Sequence, residues 1–318
     1  MKKNKLFDEI IAKIEKYDKI SLFFHSHPDY DALCSCYALK LFIEAKYTKK
    51  QVYIARFNNL QAEITKNFFP KIKNKPANFL TQSLGIICDT ANIERIAAPE
   101  FSKTKEYIKI DHHPNIEPYG SIIWVDDTAS ACCEMIANLL HYWDDKYFDK
   151  EIAKYLYAGI LTDTNRFYYT SCTCSTMQTA GMLIDKKFDR EEIYSVLYLN
   201  NLNDVKFNNY LFSKAVFIEN NKIAYIIAEQ EDFEKFNVTT KTPFVHVLSN
   251  ISEVQIWFIL YYEQDMKVWK GSLRSRNIVI SDIAKKFNGG GHKFASGFKL
   301  EKITDVKKLI SEIVKLIK

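Results

Sequence analysis

Short β-rich runs alternate with helical stretches through the first 170 residues, and at least three of the runs lead into Asp or His. KISLFF, QVYIAR, LGIICD, EYIKID and SIIWVD have the size and β-branched or aromatic content of strands. LFDEIIAKIEKY, DALCSCYALKLFIEAKY, ASACCEMIANLLHYW and DKEIAKYLYAGILTD have helical spacing. Such alternation predicts an α/β domain, a doubly wound, mainly parallel sheet with crossover helices. In that architecture ligands sit beyond the carboxyl ends of the strands. The residues found there are polar. SLFF is followed by His25, His27, Asp29, Tyr30 and Asp31, GIIC by Asp89, and YIKI by Asp111, His112 and His113. The helix AKYLYAGIL runs into Asp163.

A single Asp after a strand is more often a helix cap or turn residue than a ligand. Four such places at one crevice are a different matter. Carboxylates gathered with so little Lys or Arg repel one another, and bound divalent cations are the usual remedy. Oxygen ligands with one or two imidazoles suit Mn²⁺ or Mg²⁺ better than Zn²⁺ or Cu²⁺. The cysteines do not offer a rival site. There are seven, an odd number, and Cys34/Cys36, Cys132/Cys133 and Cys172/Cys174 are too close to read as a disulfide framework. No apolar run follows the lysines of MKKNKLFDEI, and no stretch reaches the roughly 18 apolar residues of a membrane span. Reduced thiols, a cytoplasmic location and no membrane partner are the expectations.

At 318 residues and roughly 150 per domain, about two domains are expected. From residue 173 to 215 the pattern is mostly helical, with a helical linker placed at 201–218. A metal-binding domain over 1–200 and a smaller α/β domain over 219–318 flank it. In the latter, AVFIENNKIAYIIA predicts a hairpin turning at Asn220–Asn221, and EVQIWFILYYEQDMKVWKGSLRS another turning near 263–266. Charge is uneven. From Lys241 to Lys318 there are 14 Lys/Arg against 7 Asp/Glu, a net of +7; the first 240 residues hold 30 against 32, a net of −2. An anionic ligand is therefore expected at the second domain. Asn288-Gly289-Gly290-Gly291-His292-Lys293 forms a glycine-rich loop whose amides suit a phosphate. Arg274 and Arg276 alternate on the strand GSLRSR and should share a face, where guanidinium forks suit phosphate oxygens. The competing reading is a glycine-terminated helix beside a solvated basic strand. Phe57, Tyr168 and Tyr169 could stack on bases, but such residues are more often core or scattered surface, so they are not taken as sites.

HSHPDYDA, CDT, DHH and GILTDT, in this order, resemble the four motifs of the DHH phosphoesterases, and SLRSR…NGGGHKFASGF resembles their DHHA1 substrate domain. The resemblance covers nearly the whole chain and is strongest to the short two-domain nanoRNases that are also pAp phosphatases. It implies an active site in the cleft between the domains and two Mn²⁺ per chain, with Mg²⁺ as the alternative. His25 and Asp29 would hold the first ion, Asp31, His112 and Asp163 the second, and Asp89 would bridge both. Asp89 and His113 are thus the expected catalytic residues, with His113 an acid beside the metals. Arg274 and His292 would grip a nucleotide phosphate, with Gly289, Gly290 and Gly291 around them. Tyr30, Cys34 and Asn165 stand where the family usually has Gly, which bears on loop shape rather than on ligands.

The implied activity is metal-dependent hydrolysis of short RNA oligonucleotides and dinucleotides such as pApA, and of pAp to AMP. Two ions about 3.5–4 Å apart activate a shared water for in-line attack. A cyclic-di-AMP phosphodiesterase using the same site is an alternative, and a catalytically silent nucleic-acid-binding protein another. The intact ligand set argues against the last. Loss of Asp89 is expected to relieve repulsion and leave the metal-free fold at least as stable. The sequence gives no oligomeric state and is compatible with a homo-oligomer.

Overall fold

The computed structural model describes residues 2–55, 68–70, 78–238, 244–264 and 266–317, and the side chains among them other than those of residues 2–4 and 292. They divide into two compact units, Met1–Leu199 and Asn200–Lys318.

The first unit runs α1 (Lys2–Lys16), β1 (Lys19–Phe23), α2 (Tyr30–Lys46), β2 (Gln51–Ile54), β3 (Leu84–Cys88), β4 (Glu106–Asp111), β5 (Ile122–Val125), α3 (Cys132–Asp144), α4 (Lys150–Asp163), α5 (Cys174–Ile184) and α6 (Arg190–Tyr198). Its five strands are parallel in the order β2-β1-β3-β4-β5. This is the expected doubly wound sheet. The apolar runs are continuous because strands of such a sheet are buried on both faces. Ile20, Leu22, Ile86, Ile108 and Ile110 pack with Leu39 and Phe42 of α2, Ile136 of α3 and Leu156 of α4. Their neighbours Phe23 and Ile87 turn to the other face and meet Phe101 and Tyr119. Each such fully buried side chain contributes about 1.5–3 kcal/mol. The strand order reverses between β1 and β3. There the connections leave in opposite directions and open a crevice at the strands' carboxyl ends.

The second unit contains α7 (Leu202–Ser213), β6 (Val216–Ile218), β7 (Ile223–Ala228), α8 (Gln230–Phe236), β8 (Ile256–Glu263), β9 (Val268–Ser275), α9 (Ser281–Lys286), β10 (Gly290–His292), β11 (Ala295–Leu300) and α10 (Val306–Val314). Its sheet order is β10-β11-β9-β8-β7-β6, with only β7 and β8 parallel. Both expected hairpins form, and Glu219, Asn220 and Asn221 supply the left-handed turn of the first. Phe207, Phe233 and Phe244 pack on one face of the sheet, and Phe258, Phe298 and Leu309 on the other.

Two local readings change. Residues 201–218 hold α7 and β6, and Phe207 and Leu211 of α7 are core residues of the second unit. The glycine run is not wholly a loop: Gly290–His292 is a short strand at the sheet edge, with Gly290 opposite Gly297 and Gly291 opposite Ser296. Among the described residues no helix is long and apolar enough to cross a membrane.

Candidate metal and phosphoester site

Asp29 ends the loop after β1 as the N-cap of α2, its Oδ1 accepting the Ala32 amide at 3.0 Å. Asp31 lies in the first turn of α2 and is completely buried. Its two carboxylate oxygens accept the amides of Cys132 (2.6 Å) and Cys133 (2.8 Å) at the start of α3, where a helix N-terminus favours negative charge. Asp89 follows β3 with φ +51°, a conformation uncommon outside glycine and suited to aiming a side chain. His112 and His113 follow β4, and Asp163 is the last residue of α4.

The crevice brings these residues together. Ligand atoms of His25, Asp29 and Asp89 lie within 4.8 Å of one another, as do those of Asp31, His112 and Asp163, and those of Asp89, His112 and His113. His25 Nε2 is 3.9 Å from Asp29 Oδ1 and 3.7 Å from Asp89 Oδ2. His112 Nε2 is 3.9 Å from Asp31 Oδ2, 3.4 Å from Asp89 Oδ1 and 3.5 Å from Asp163 Oδ2. Asp89 thus turns one oxygen to His25 and the other to His112, and it belongs to two of the three groups. These separations exceed hydrogen-bond lengths but suit donors around one small cation, where neighbouring ligands lie about 3 Å apart. Asp89 Oδ1 is buried without a hydrogen-bond partner among the described residues. A buried carboxylate oxygen left so costs free energy unless an ion completes it, so the donor set fits divalent metal.

The charges are strongly coupled. Burial opposes a charged His112, but Asp89, Asp31 and Asp163 overcome it and push its pKa up to about 10. Burial likewise opposes His25, which Asp29 and Asp89 raise to about 9. Asp31 is driven well above the usual carboxylate range by burial, then by Asp89 and Asp163. Burial also lifts Asp163 to about 6, with His112 opposing and Asp29 and Asp89 adding to the rise. Asp89 stays below the usual range despite its burial, because His112 and His25 face it.

His113 sits at the rim. Its Nδ1 is 2.9 Å from Asp111 Oδ1, which also accepts the His113 amide. Asp111 Oδ2 lies 3.6 Å from Lys109 Nζ, and both side chains have 0% exposure. Lys109 donates to Ala91 O and reaches Asn115 and Glu117, with its ammonium 4.5 Å from the centre of the Tyr119 ring. A buried cation thus anchors the carboxylate that orients His113.

In the second unit, Arg274 of β9 donates from Nη1 to the carbonyls of Leu273 (2.9 Å) and Ser296 (3.4 Å). Arg276, past the strand end, donates to Val254, Ser249 and Ile251 carbonyls and pins that loop. Arg274 stands opposite Trp257 of β8, and Arg276 lays its guanidinium over the same ring, 5.9 Å from its centre, so the two share a face as expected, but the Arg276 fork is taken up by carbonyls. A Cβ at Gly289 would lie 2.0 Å from Gly297 O; one at Gly291, where φ is +141°, would lie 2.6 Å from Ala295 O. Close strand passage explains those two glycines, whereas Gly290 has nothing within 4 Å of its Cβ position. The side chain of His292, and Phe57 altogether, lie outside the described residues.

Two family models match the chain. Residues 19–160 match the DHH family, N-terminal domain, and residues 217–318 match the DHHA1 domain. A bifunctional oligoribonuclease and PAP phosphatase, NrnA, of Mycoplasma genitalium is 32% identical over 100% of this chain and 99% of its own. The chain belongs to the DHH/DHHA1 phosphoesterase family. It is a hydrolase of that family. An uncharacterized protein of Mycoplasma genitalium is 38% identical over 94% of this chain and 91% of its own. A crystal structure of an exopolyphosphatase-related protein from Bacteroides fragilis shares the fold, with a TM-score of 0.83 at 22% identity, covering 98% of this chain and 96% of that one.

Sequence reading alone missed three supports of this DHH site. The amides of Cys132 and Cys133 that seat Asp31 are backbone groups and leave no mark on residue type. Lys109 does leave one: a lysine inside a run that must be buried. The third is Gly159 of α4. A Cβ there would lie 2.2 Å from Cys133 Sγ and 3.1 Å from Asp31 Oδ1. Gly159→Ala should cost roughly 1–3 kcal/mol of stability through overpacking and should weaken metal binding, because relief must move α3 or Asp31. Thermal melting and metal titration check this; an unchanged metal affinity would show that Asp31 keeps its place.

Metal binding by the DHH unit should also be pH-dependent. Near pH 7 the metal-free His25 and His112 hold protons, since their pKa values are about 9 and 10. A metal takes the neutral imidazole, so binding must expel those protons. Affinity should rise from pH 7 to 9, by about tenfold per pH unit for each titrating histidine. Calorimetry in two buffers of different ionisation enthalpy measures the release. A pH-independent affinity with no proton release contradicts the arrangement.

Proposed function

We propose that the chain is a two-metal, manganese-dependent phosphoesterase that hydrolyses short oligoribonucleotides and dinucleotides such as pApA to mononucleotides, and pAp to AMP. One observation carries the metal part: the single buried carboxylate of Asp89 divides its oxygens between two His/Asp groups. The substrate part rests on the likeness to a named oligoribonuclease and PAP phosphatase over the whole chain. His25 and Asp29 would hold one ion, Asp31, His112 and Asp163 the other, and Asp89 both. Such ions lower the pKa of bound water and polarise the phosphoryl group. His113, with its N–H on Nδ1 held by Asp111, presents Nε2 as the site that passes a proton to the leaving oxygen. Arg274 and residues 289–292 serve as the phosphate grip of the second unit.

A cyclic dinucleotide is the second reading. Mycoplasma genitalium has both relatives described above, and the more similar of the two is not the one named for oligoribonucleotides. Hydrolysis of cyclic-di-AMP would break the same type of phosphodiester.

The test uses the full chain stripped of metal, with Mn²⁺ or Mg²⁺ added back singly, on pApA, pAp and cyclic-di-AMP. Product chromatography should show no turnover in the stripped protein, recovery with Mn²⁺, and AMP from pApA and pAp. Full activity without metal, or no turnover of any of the three substrates with it, overturns the proposal.

A further inference from the structure

We propose that Tyr168 and Tyr169 form a stacking platform for a nucleobase of the substrate, on the turn that follows the metal-ligand candidate Asp163. The inference rests on the phosphoesterase reading above and deepens it by naming the groups that would recognise a base.

The segment after Asp163 is folded against its own backbone preference. Asn165, Arg166 and Phe167 have φ of 48°, 61° and 64°, three consecutive non-glycine residues in the left-handed region. L-residues visit that region singly, and strain of this kind persists only where surrounding structure enforces it. The enforcement is visible. Thr164 O accepts the amides of Tyr168 (3.0 Å) and Tyr169 (3.1 Å). Thr164 Oγ1 accepts the Phe167 amide at 2.9 Å and donates to Ile160 O at 2.7 Å. Arg166 donates its amide to Leu161 O and lays its guanidinium over the Tyr198 ring, 5.2 Å from the centre. Phe167 turns inward onto Tyr157.

The next two residues go the other way. Tyr168 is 79% exposed and Tyr169 52%. Their rings stand 6.4 Å apart at 56° to each other. They are neither core nor scattered surface, the two usual fates of tyrosine. They are a pair, thrust out by a tied-down turn whose first anchor, Thr164, directly follows Asp163. Tyrosine presents a flat apolar face at low entropy cost, and every base has a π-face to meet it. The carboxylates of the candidate site cannot attract a phosphoester by themselves, so a contact to the uncharged base adds affinity that charge does not supply. The ligand class is therefore a nucleoside-bearing phosphoester rather than a bare sugar phosphate or inorganic phosphate chain.

The experiment has a binding arm and a turnover arm. Tyr168→Trp in the full chain gives a reporter on the platform. Its fluorescence should be quenched by AMP and not by ribose 5-phosphate at the same concentration; equal response to both, or none to AMP, overturns the platform whether or not the chain cleaves pApA. In turnover, Tyr168→Ala and Tyr169→Ala should raise KM for pApA by roughly 10–100-fold together, with kcat changed little. Tyr→Phe at each position should restore KM, and an abasic dinucleotide should show no difference between wild type and variants. A wild type that leaves pApA intact counts against the proposed function. A wild type that cleaves it, with alanine variants unaffected or equally impaired on the abasic substrate, counts against the platform alone.

Discussion

Asp89→Ala should abolish phosphoester hydrolysis, by at least about a thousandfold in kcat/KM, while the chain still folds. Loss of a residue that merely orients a ligand costs about 10–100-fold. Asp89 does more, since one oxygen lies 3.7 Å from His25 Nε2 and the other 3.4 Å from His112 Nε2. No other carboxylate among the described residues belongs to two of the three groups. The effect on the metal-free fold has the opposite sign from the one expected of crowded carboxylates. Asp89 is held below the usual carboxylate range by the two histidines facing it, so its charge stabilises the metal-free protein. Its removal leaves His25 and His112 buried with less counter-charge. Histidine pKa values raised to about 9 and 10 stabilise the metal-free fold fully below pH 6.5, and that contribution is lost as pH rises through those values. With chelator present, the variant should melt below wild type at pH 6, and the gap should close by pH 10. Near-normal kcat with two metals bound would refute the bridging role.

That reversal marks where residue types stop being informative. The candidate ligands are legible because each lies at the end of a strand or helix that hydrophobic pattern alone defines, and because Asp and His have few roles in combination. Asp29 shows that the bland reading and the functional one need not compete: it caps α2 and stands within 3.9 Å of His25. What could not be read is which backbone passes beside which side chain. Gly159 is ordinary in the sequence until α3 is found against it. The glycines at 289 and 291 suggest a ligand cradle, yet both are required by a neighbouring strand. Arg276 promises a phosphate fork and is spent on three carbonyls. The same limit applies to Tyr168 and Tyr169. Composition assigns them to core or surface, and only the left-handed turn at 165–167 makes them a pair with a direction.

The second large effect is expected at Asp111→Asn, a residue that belongs to none of the three ligand groups. Its Oδ1 fixes His113 through Nδ1, and its Oδ2 faces the buried ammonium of Lys109. The carboxylate therefore does two things for His113. It keeps the proton on Nδ1, leaving Nε2 toward the substrate, and it supports the charged imidazole that must form before a proton can pass on. An amide supplies weaker orientation and no charge. If His113 protonates the leaving oxygen, loss of that aid should lower kcat for a dinucleotide by about 10²–10⁴-fold, the usual worth of general acid catalysis, with KM little changed. A bis-nitrophenyl ester needs no proton on its leaving group and should lose only a few-fold. The variant also leaves Lys109 buried beside a neutral amide, and breaking such a pair costs about 3–5 kcal/mol. Rates should therefore be compared below both melting transitions and at equal metal content. Under those conditions a merely structural role for Asp111 would depress both substrates alike, and that outcome would remove His113 from the acid position. Selective loss on the dinucleotide would place the Lys109–Asp111 pair in the catalytic design, acting through His113 from beneath the site.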